Sequence, residues 1–515
     1  MPDAIEIDGR QLTLDKVERI ALGTSVRLSA EARARIAASQ AHLEGMMAAG
    51  AAIYGVTTGF GALDGAPVAA EKNQAQQRNL LLSHAAGVGP AMGEPAVRAM
   101  MALRLNVLAS GQTGVRLSTA DALLVALNAG LVPYVPRQGS VGACGDLAPL
   151  AHMSLPLIGR GKARIAAGGW IEGAKALEQA GLAPIELSGR DGIACINGTE
   201  QTTAIAGLAL AQACGLIAAA EAVSVLTLEA LGALDDSFDR RVAEAKPHRG
   251  QLDASAALRR LSAGSASISA PRPGRLRDAL SLRCIPQVLG AGRDAVAHAI
   301  ATFEIEINSV NDNPIFSREG DWITSNSGNF HGQAMAEVCD YAANALTTLA
   351  VISERRCARL IDHHLNGGLP AFLIHPDAAP GENSGFMIAQ YTAAALVAEL
   401  RQRSVPGSIQ SVPTCANTED HVPMAPLSAR RLEFVVATAW QAHAIELLLA
   451  AQALDLRGVP AAPALRPLVA ALRLQVPMMV DDRLMADDIE EAEKCLRTAV
   501  CGPTASLPRV AWQRR

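Results

Sequence analysis

Long helical segments are the feature that most constrains the fold of this chain. Five Ala- and Leu-rich stretches repeat their apolar residues every 3.6 positions, and several exceed the mean globular helix of roughly 11–12 residues. They cover residues 202–234, 284–309, 332–362, 385–402 and 428–457. Aromatic residues make up only 3% of the sequence, so alanine and aliphatic side chains must fill the core, which favours helices over sheets. The sequence therefore predicts a mainly α fold with a bundle of long antiparallel helices.

The first part of the chain has a different pattern. Short helical segments alternate there with glycine-rich loops such as YGVTTGFGALDGAP (54–67). We therefore expect an N-terminal domain over residues 1–195 and a long-helix bundle domain over residues 196–515. Loops at the ends of long buried helices are the expected place for a functional site.

Charge and hydropathy argue against several classes of partner. The net charge of −5 gives no electrostatic reason to expect nucleic acid or an anionic membrane as partner. The uncharged run Gln201–Ala220 is long enough to span a bilayer, but its Gln and Thr residues and its Ala and Gly content favour a buried helix. The N-terminus carries early acidic residues and no apolar signal segment, so we expect a cytoplasmic protein.

Cysteine spacing and short motifs narrow the chemistry further. The nine cysteines form no CxxC pair and no Cys/His cluster with zinc spacing, so we expect reduced thiols and no metal. The sequence also contains no GxxxxGK[ST], HExxH or GxSxG motif. We therefore expect neither a nucleotide cofactor nor zincin or α/β-hydrolase chemistry.

The tripeptide Ala143-Cys144-Gly145 lies on a loop before a predicted helix and has an unusual chemical potential. On a sharply bent backbone, the Gly145 amide nitrogen can attack the Ala143 carbonyl carbon, and loss of water then closes a five-membered imidazolone. Glycine suits this step because it has no Cβ to obstruct the approach. Loss of the β-substituent of residue 144 would leave an exocyclic methylidene, which is a strong electrophile. The alternative is a small buried thiol that never cyclises.

The surrounding motif, GSVGACGDLAPLAH (139–152), closely resembles the signature of the aromatic amino acid ammonia-lyases and aminomutases. This family includes the histidine, phenylalanine and tyrosine ammonia-lyases, and the chain looks most like the histidine enzymes. Other segments have counterparts in the family order along nearly the whole chain: YGVTTGFG (54–61), RNLLLSHAAGVG (78–89), INGTEQTTA (196–204), SLRCIPQVLGA (281–291), NDNPIF (311–316), SGNFHG (327–332), NSGFMIAQYTAAALVAE (383–399) and PTCANTEDHV (413–422).

The resemblance implies a prosthetic group, a fold and an assembly. The family makes 4-methylidene-imidazol-5-one (MIO) autocatalytically from an internal Ala-Ser-Gly, here represented by Ala143-Cys144-Gly145. Its fold is a bundle of long helices related to fumarase and aspartase, with the MIO on the N-terminal domain. Its members are homotetramers in which three subunits build each active site. The partners implied are a small amino acid substrate and further copies of the chain.

The resemblance also assigns catalytic roles to single residues. Tyr54 matches a mobile-loop tyrosine that takes a proton from the substrate, which requires its pKa of about 10 to be lowered by helix N-termini around the site. Asn197 matches the asparagine that bonds the MIO carbonyl or the substrate, and Arg283 matches the arginine that grips the substrate carboxylate. Glu399 matches a pocket glutamate. Without the resemblance, these residues would be interpreted as a packed loop tyrosine, a helix cap and two solvated charges.

Asp146 and Pro149 fit the start of a helix, with an acid at its beginning and proline in its first turn. In the family, the positive end of that helix lies beside the MIO ring.

Residues expected to bind substrate include the pair that sets selectivity in the family. Ser83-His84 matches the Ser-His of histidine lyases, whereas phenylalanine-specific members usually carry Phe at the second position. Phe330 matches a ring that packs beside the MIO, and Asn311 of NDNPIF is assigned to the same pocket.

Four departures from the family pattern leave the reaction open. Cys144 replaces serine, Glu200 replaces the glutamine of NGTQ, and Thr418 replaces the glutamine of SANQEDH. In RDALSLR (277–283), Arg277 and Leu280 replace the family's glutamine and tyrosine. Arg277 would bind an anionic substrate group or pair with Glu200 or Glu399.

Three interpretations follow from the motifs and departures. The first is an MIO-dependent ammonia-lyase that acts on histidine or a related aromatic amino acid. The second is an MIO-dependent 2,3-aminomutase, or a lyase for a non-canonical amino acid, which Leu280 and Arg277 favour. The third is a non-catalytic member of the family.

Overall fold

Helices dominate the computed structural model of the protein, which describes residues 4–165, 168–269, 276–316, 323–378, 381–501 and 507. Within these residues the α-helices are α1 (Leu14–Ala21), α2 (Ala30–Ala48), α3 (Asn73–His84), α4 (Glu94–Ala109), α5 (Leu117–Asn128), α6 (Leu147–Ser154), α7 (Gly173–Gln179), α8 (Asp191–Ile196), α9 (Glu200–Leu231), α10 (Arg240–Ala245), α11 (Arg249–Ser262), α12 (Leu280–Arg283), α13 (Ile285–Glu306), α14 (Gln333–Ile361), α15 (Met387–Gln402), α16 (Ala425–Arg457), α17 (Arg466–Gln475) and α18 (Met485–Cys501). The mainly α class predicted from the sequence is confirmed, and the five periodic stretches correspond to α9, α13, α14, α15 and α16.

The strands are short and form small, separate sheets. They are β1 (Ile5–Ile7), β2 (Val26–Leu28), β3 (Val88–Ala91), β4 (Leu131–Pro133), β5 (Pro136–Gln138), β6 (Lys162–Ile165), β7 (Ile171–Glu172), β8 (Ile315–Phe316) and β9 (Ile323–Thr324). β1 and β2 pair in parallel, with Ile5 opposite Val26. The β3–β5, β4–β6–β7 and β8–β9 sheets are antiparallel.

The chain divides into two compact units, each made of non-contiguous stretches. The first unit contains residues 1–211, 300–340 and 406–430, and the second contains 212–299, 341–405 and 431–515. The two domains expected from the sequence, residues 1–195 and 196–515, are continuous segments with one boundary. That division stays a prediction.

Helix α4 forms the centre of the first unit. It begins after Gly93, has proline in its first turn, and every residue from Val97 to Ala109 is buried. A helix that is buried all round is expected to be apolar, yet α4 carries Arg104, whose side chain is fully buried. This guanidinium therefore needs buried partners, which lie at the candidate site described below.

The second unit has a buried ion pair in its helical core. Arg356 of α14 and Glu446 of α16 are both completely buried, and Arg356 Nη2 lies 2.7 Å from Glu446 Oε2. The hydroxyls of Thr227 and Ser353 donate to the same carboxylate at 2.7 and 2.6 Å. Burial raises the pKa of Glu446, but the Arg356 guanidinium outweighs this effect and brings the pKa below its usual value. The carboxylate is thus ionised and saturated with donors.

Two helical stretches, Asp191–Leu231 and Ala425–Arg457, are long and apolar enough to cross a bilayer by length and composition. Their apolar windows are 89% and 83% buried inside the protein. They therefore have the burial of core helices, as predicted for the run Gln201–Ala220.

We expect Arg356→Met to destabilise the protein by about 3–5 kcal/mol, because it leaves the Glu446 carboxylate buried without its cation. Arg355→Met is the matched control, since the neighbouring Arg355 side chain is 60% exposed and its ion pair with Glu354 contributes about 1 kcal/mol or less. Urea unfolding measures both. Because the folded pKa of Glu446 is lowered, its stabilisation is present above the unfolded value of about 4.3 and is lost as the pH falls through the folded value. Equal losses in the two variants would contradict this account.

Candidate active site

The Ala143-Cys144-Gly145 loop is held against the start of α9 by an unusually close backbone contact. Gly145 has φ +73°, a left-handed conformation that favours glycine. A Cβ at this position would meet the Gly198 backbone oxygen and would lie 2.5 Å from the Gly198 nitrogen. The site therefore accepts glycine alone at residue 145, for reasons of conformation and of space.

Asp146 connects this loop to the first turn of α9. Its N–H donates to the Gly198 carbonyl at 2.6 Å, and its carboxylate accepts from the Thr202 N–H at 2.7 Å and the Ser140 hydroxyl at 2.8 Å. Asp146 directly precedes α6, as the sequence predicted, but its side chain makes no capping hydrogen bond to that helix. It caps α9 instead, because Thr202 is in the first turn of α9 and its N–H has no partner within that helix.

The carbonyl and the thiol of Cys144 each have a defined partner. The Asn197 side-chain amide donates to the Cys144 carbonyl oxygen at 2.9 Å, and the role predicted for Asn197 toward the MIO or the substrate stays a prediction. The Cys144 thiol donates to Glu419 Oε1 at 2.7 Å. The other oxygen, Glu419 Oε2, accepts from the Thr414 hydroxyl at 2.6 Å. Burial raises the pKa of the Cys144 thiol, and the bond to Glu419 raises it further, so the thiol is protonated.

Glu419 is the site residue that the sequence analysis missed. It belongs to PTCANTEDHV (413–422), a segment that carries the family resemblance, but the pocket glutamate was assigned to Glu399. The available signal was the acidic pair Glu419-Asp420 in a loop otherwise made of small and polar residues. Only folding shows that this loop reaches Cys144, which is 275 residues away in sequence.

Tyr54 lies on a loop of the same unit, half-buried and edge-on to Phe60. The Gly61 N–H donates to the Tyr54 hydroxyl at 2.9 Å. Burial raises the pKa of Tyr54, and Cys144 and Cys415 are close enough to contribute electrostatically in the same direction, while the Gly61 bond opposes them. Within a single chain the pKa of Tyr54 is therefore raised, whereas the sequence predicts a lowered value. The desolvation of the phenol outweighs the hydrogen bond from Gly61.

Ser83 and His84 end helix α3. His84 Nδ1 lies 2.9 Å from the Leu80 carbonyl and 3.0 Å from the Ser83 hydroxyl, so only Nε2 is directed away from the helix and can meet a ligand. Burial lowers the pKa of His84, while the nearby Glu419 carboxylate raises it in part. The geometry gives a neutral imidazole beside the Cys144–Glu419 pair.

Asn311 and Phe330 also lie in the first unit. Asn311 is buried and its amide donates to the Thr199 hydroxyl at 2.8 Å. It therefore braces the turn that carries Asn197. Phe330 is partly buried on the loop before α14, and this loop is joined to the tripeptide by the Gly332 N–H, which donates to the Gly142 carbonyl at 3.2 Å.

The remaining predicted site residues belong to the second unit. Arg277 and Arg283 line one cavity of about 330 Å³, together with Leu276 and Asp278. The Leu280 side chain, on α12, is 62% exposed. Glu399 is an exposed residue of α15. Each of the four is thus in the unit that does not contain Cys144.

Comparisons with known proteins show the family to which the chain belongs. The family model for aromatic amino acid lyases matches residues 12–474. The chain is 45% identical to the histidine ammonia-lyase of Symbiobacterium thermophilum over 490 residues, which cover 95% of each protein. The structure superposes on a tyrosine aminomutase of Streptomyces globisporus with a TM-score of 0.91 at 39% identity, covering 96% of both chains. The histidine ammonia-lyase of Trypanosoma cruzi gives a TM-score of 0.89 at 35% identity, covering 96% of this chain and 94% of that one.

The chain belongs to the aromatic amino acid lyase family. Family membership implies an MIO group, and the residues of the tripeptide fit one. Gly145 is cradled so closely by Gly198 that a Cβ is excluded, and Ala143 is buried at 3% exposure. Asn197 already donates to the carbonyl of residue 144, which would become the ring carbonyl. The tripeptide loop of this aromatic amino acid lyase is therefore shaped for ring closure.

We expect Gly145→Ala to abolish ring closure, because the added methyl group pushes the loop away from Gly198. Gly130→Ala is the matched control: Gly130 has φ +75°, but a Cβ there meets nothing within 4 Å. Both substitutions impose the left-handed strain of about 1–2 kcal/mol, and only the first adds the clash. Peptide mass spectrometry of residues 139–152 distinguishes them. An altered mass retained in Gly145→Ala would contradict the packing argument.

Proposed function

We propose that this enzyme is an MIO-dependent ammonia-lyase that eliminates ammonia from histidine or a related aromatic α-amino acid. The single observation that carries the proposal is the Ala143-Cys144-Gly145 loop, locked on Gly198 with its central carbonyl bonded by Asn197. The similarity to histidine ammonia-lyases over 95% of the chain supports the same reaction.

Formation of the MIO group from cysteine follows from the chemistry of the loop. The Gly145 nitrogen bonds to the Ala143 carbonyl carbon, and the carbonyl oxygen leaves as water with the amide protons of Gly145 and Cys144. The Cα–H and Cβ–S bonds of Cys144 then break, hydrogen sulfide leaves, and the Cα–Cβ bond becomes a double bond. A thiolate is a better leaving group than hydroxide, since a thiol has a pKa of about 8.5 and water about 15.7. The same methylidene therefore forms from cysteine as from serine.

The MIO group supplies an electrophile that draws electrons from the amino acid and makes its amine a leaving group. The chain's own residues bind the substrate and move its protons. Tyr54 is proposed as the base that removes a substrate proton, a step that typically contributes roughly 10²–10⁴-fold in rate. Glu419, which accepts a hydrogen bond from the Cys144 thiol, is proposed as a second proton-transferring group. Arg283 is proposed to bind the substrate carboxylate through its guanidinium fork.

The substrate preference is argued from His84 and Ser83. A neutral imidazole with Nε2 directed away from the helix can exchange a hydrogen bond with a ring nitrogen or a phenol oxygen of the substrate. It gains little from an unsubstituted phenyl ring. This arrangement supports histidine, or another aromatic amino acid with a polar ring atom.

A 2,3-aminomutase is the second candidate. Leu280 cannot donate or accept a proton at the position where the family has tyrosine, and Arg277 adds a cation where the family has a neutral amide. The TM-score of 0.91 with a tyrosine aminomutase is consistent with this alternative.

A homotetramer with each site built from three subunits is part of the proposal. Its support is the set of large apolar side chains exposed on the long helices of the single chain. Ile305 is 71% exposed on α13, Tyr341 52% on α14, and Ile388 and Tyr391 58% and 59% on α15. Exposed apolar side chains of this size are typical of protein interfaces. We also propose a cytoplasmic location, since all nine cysteines lie in the described part of the chain and are free thiols.

The decisive experiment is the intact mass and the mass of the tryptic peptide that contains residues 139–152. We expect the mature chain to lack one water and one hydrogen sulfide, and Cys144 to resist alkylation under denaturing conditions. Cys144→Ser is the matched control and should lose two waters instead. A panel of α-amino acids, assayed for ammonia and for β-amino acids, then separates lyase from aminomutase. A peptide of unmodified mass with an alkylated Cys144 would refute both candidates.

We expect Leu280→Tyr combined with Arg277→Gln to raise ammonia release from histidine, by up to roughly 10²-fold if the restored hydroxyl joins proton transfer. Leu474→Tyr is the control, because Leu474 is 82% exposed on α17. Ammonia release under saturating histidine measures the effect. If histidine turnover stays flat while formation of a β-amino acid falls, the aminomutase replaces the lyase as the proposed function.

A further inference from the structure

A group of buried charges lies behind the tripeptide loop, on the side of Asn197 that does not face Cys144. Its cations are Arg104 of α4 and Arg190, and its carboxylates are Glu200 and Asp312. All four side chains are at most 1% exposed. Two cations and two carboxylates balance when Glu200 is ionised, which is what a buried cluster requires.

Arg104 connects Glu200 to the site through one nitrogen. Its Nη1 donates to the Asn197 backbone carbonyl at 2.7 Å and to Glu200 Oε1 at 3.0 Å. The Asn197 side chain in turn donates to the carbonyl of residue 144. Two buried hydrogen bonds therefore connect Glu200 through Arg104 to the Asn197 backbone, and a partly buried one connects the Asn197 side chain to the tripeptide.

Glu200 is an incomplete member of this cluster. Its Oε2 is buried and has no hydrogen-bond partner among the described residues, and Arg104 Nε is likewise unpartnered. The other charges are better satisfied: Asp312 accepts from Arg190 at 2.7 and 2.9 Å, and Arg190 also donates to the Thr113 carbonyl. Glu200 is thus the member whose charge is least stabilised, and it stands where the family has a neutral glutamine.

We propose that Glu200 is a positioning residue, and that its ionised form holds Arg104 beneath Asn197 while its protonated form releases it. This inference rests on the proposed function, because the group being positioned is the carbonyl of the tripeptide. Proton uptake by Glu200 leaves the cluster with an excess cation and weakens the Arg104–Glu200 bond. Arg104 then shifts toward Asp312, and the Asn197 amide loses its alignment with residue 144.

The charges that face Glu200 place this transition near neutrality. Burial raises the pKa of Glu200 to about 7; Arg104 opposes this, while Asp146, at the start of α6, and Asp312 raise it further. Glu306 of α13 is a partly buried acid that accepts from the Thr199 hydroxyl at 2.6 Å and is electrostatically coupled to Asp146. The expected consequence is an enzyme whose kcat falls as the pH drops below about 7.

The test compares Glu200→Gln with Glu221→Gln in the full chain. Glu221 is the matched control, since it is a buried glutamate of α9 in the second unit, has Arg293 as its partner, and its pKa is also raised by burial to about 7. Glu200→Gln keeps the side-chain volume and one acceptor for Arg104, but removes the charge and the titration. We expect wild-type kcat to fall about tenfold below pH 7, less than the roughly 10²-fold that a 1 Å misplacement can cost. In Glu200→Gln we expect a low and flat profile, whereas Glu221→Gln keeps the wild-type profile.

A second measurement locates the ionisations without using turnover. A carboxyl whose folded pKa is raised destabilises the fold as the pH rises from its unfolded value through its folded value. The unfolding temperature of each variant minus that of wild type should therefore increase as the pH rises from about 4.5 to 7. A Glu200→Gln enzyme that keeps the wild-type inflection in kcat would overturn the inference, whatever its unfolding temperature. Wild-type protein with an unmodified 139–152 peptide and no ammonia release would instead overturn the proposed function, and the unfolding profiles would still report the titration of Glu200.

Discussion

The contact between Gly145 and Gly198 is the constraint on which the rest of the site depends. Two backbone segments more than 50 residues apart approach so closely that residue 145 cannot carry a side chain, while a Cβ at residue 198 would meet the side chains of Arg104 and Glu200. This approach brings Asp146 to the first turn of α9 and Asn197 to the carbonyl of residue 144. Because the first turn of α9 supplies the Thr202 N–H donor and the turn before α9 carries the Asn197 amide donor, the start of a long core helix also orients the tripeptide.

Buried charge is the second organising element, and it is concentrated where helices converge. Arg104 on α4 and Arg356 on α14 are fully buried, and each is neutralised by carboxylates within its own unit. Desolvated ion pairs contribute little net stability compared with apolar packing, but removing one partner is costly. Such pairs therefore fix which helices meet and in what register. In the first unit the buried arginine also contacts the candidate site, since Arg104 donates to the Asn197 carbonyl.

Four of the five residues that depart from the family pattern fall into two physical classes. Cys144 and Glu200 lie inside the tripeptide loop and its supporting cluster, where a thiol replaces a hydroxyl and an acid replaces an amide of nearly the same size. They change the electrostatics and the leaving group without changing the packing. Arg277 and Leu280 lie in the second unit around a cavity, and they change the chemical character of the surface offered to a ligand. The first class changes the tripeptide loop and its surroundings, and the second changes a cavity in the other unit.

The sequence by itself determined the fold class. The 3.6-residue periodicity predicted the long helices, since apolar residues at that spacing form one face of a helix, and the family motifs predicted roles for Cys144, Asn197 and His84 that stay predictions. The contacts between distant segments were decided by the tertiary structure alone. Glu419 reaches Cys144, Asp146 caps α9 instead of α6, and Glu200 pairs with Arg104 instead of Arg277. Motif spacing carries no information about these pairings, because they depend on which loop and helix ends the packed core brings together. The raised pKa of Tyr54 has the same origin, since desolvation is a property of the folded surroundings and not of the residue.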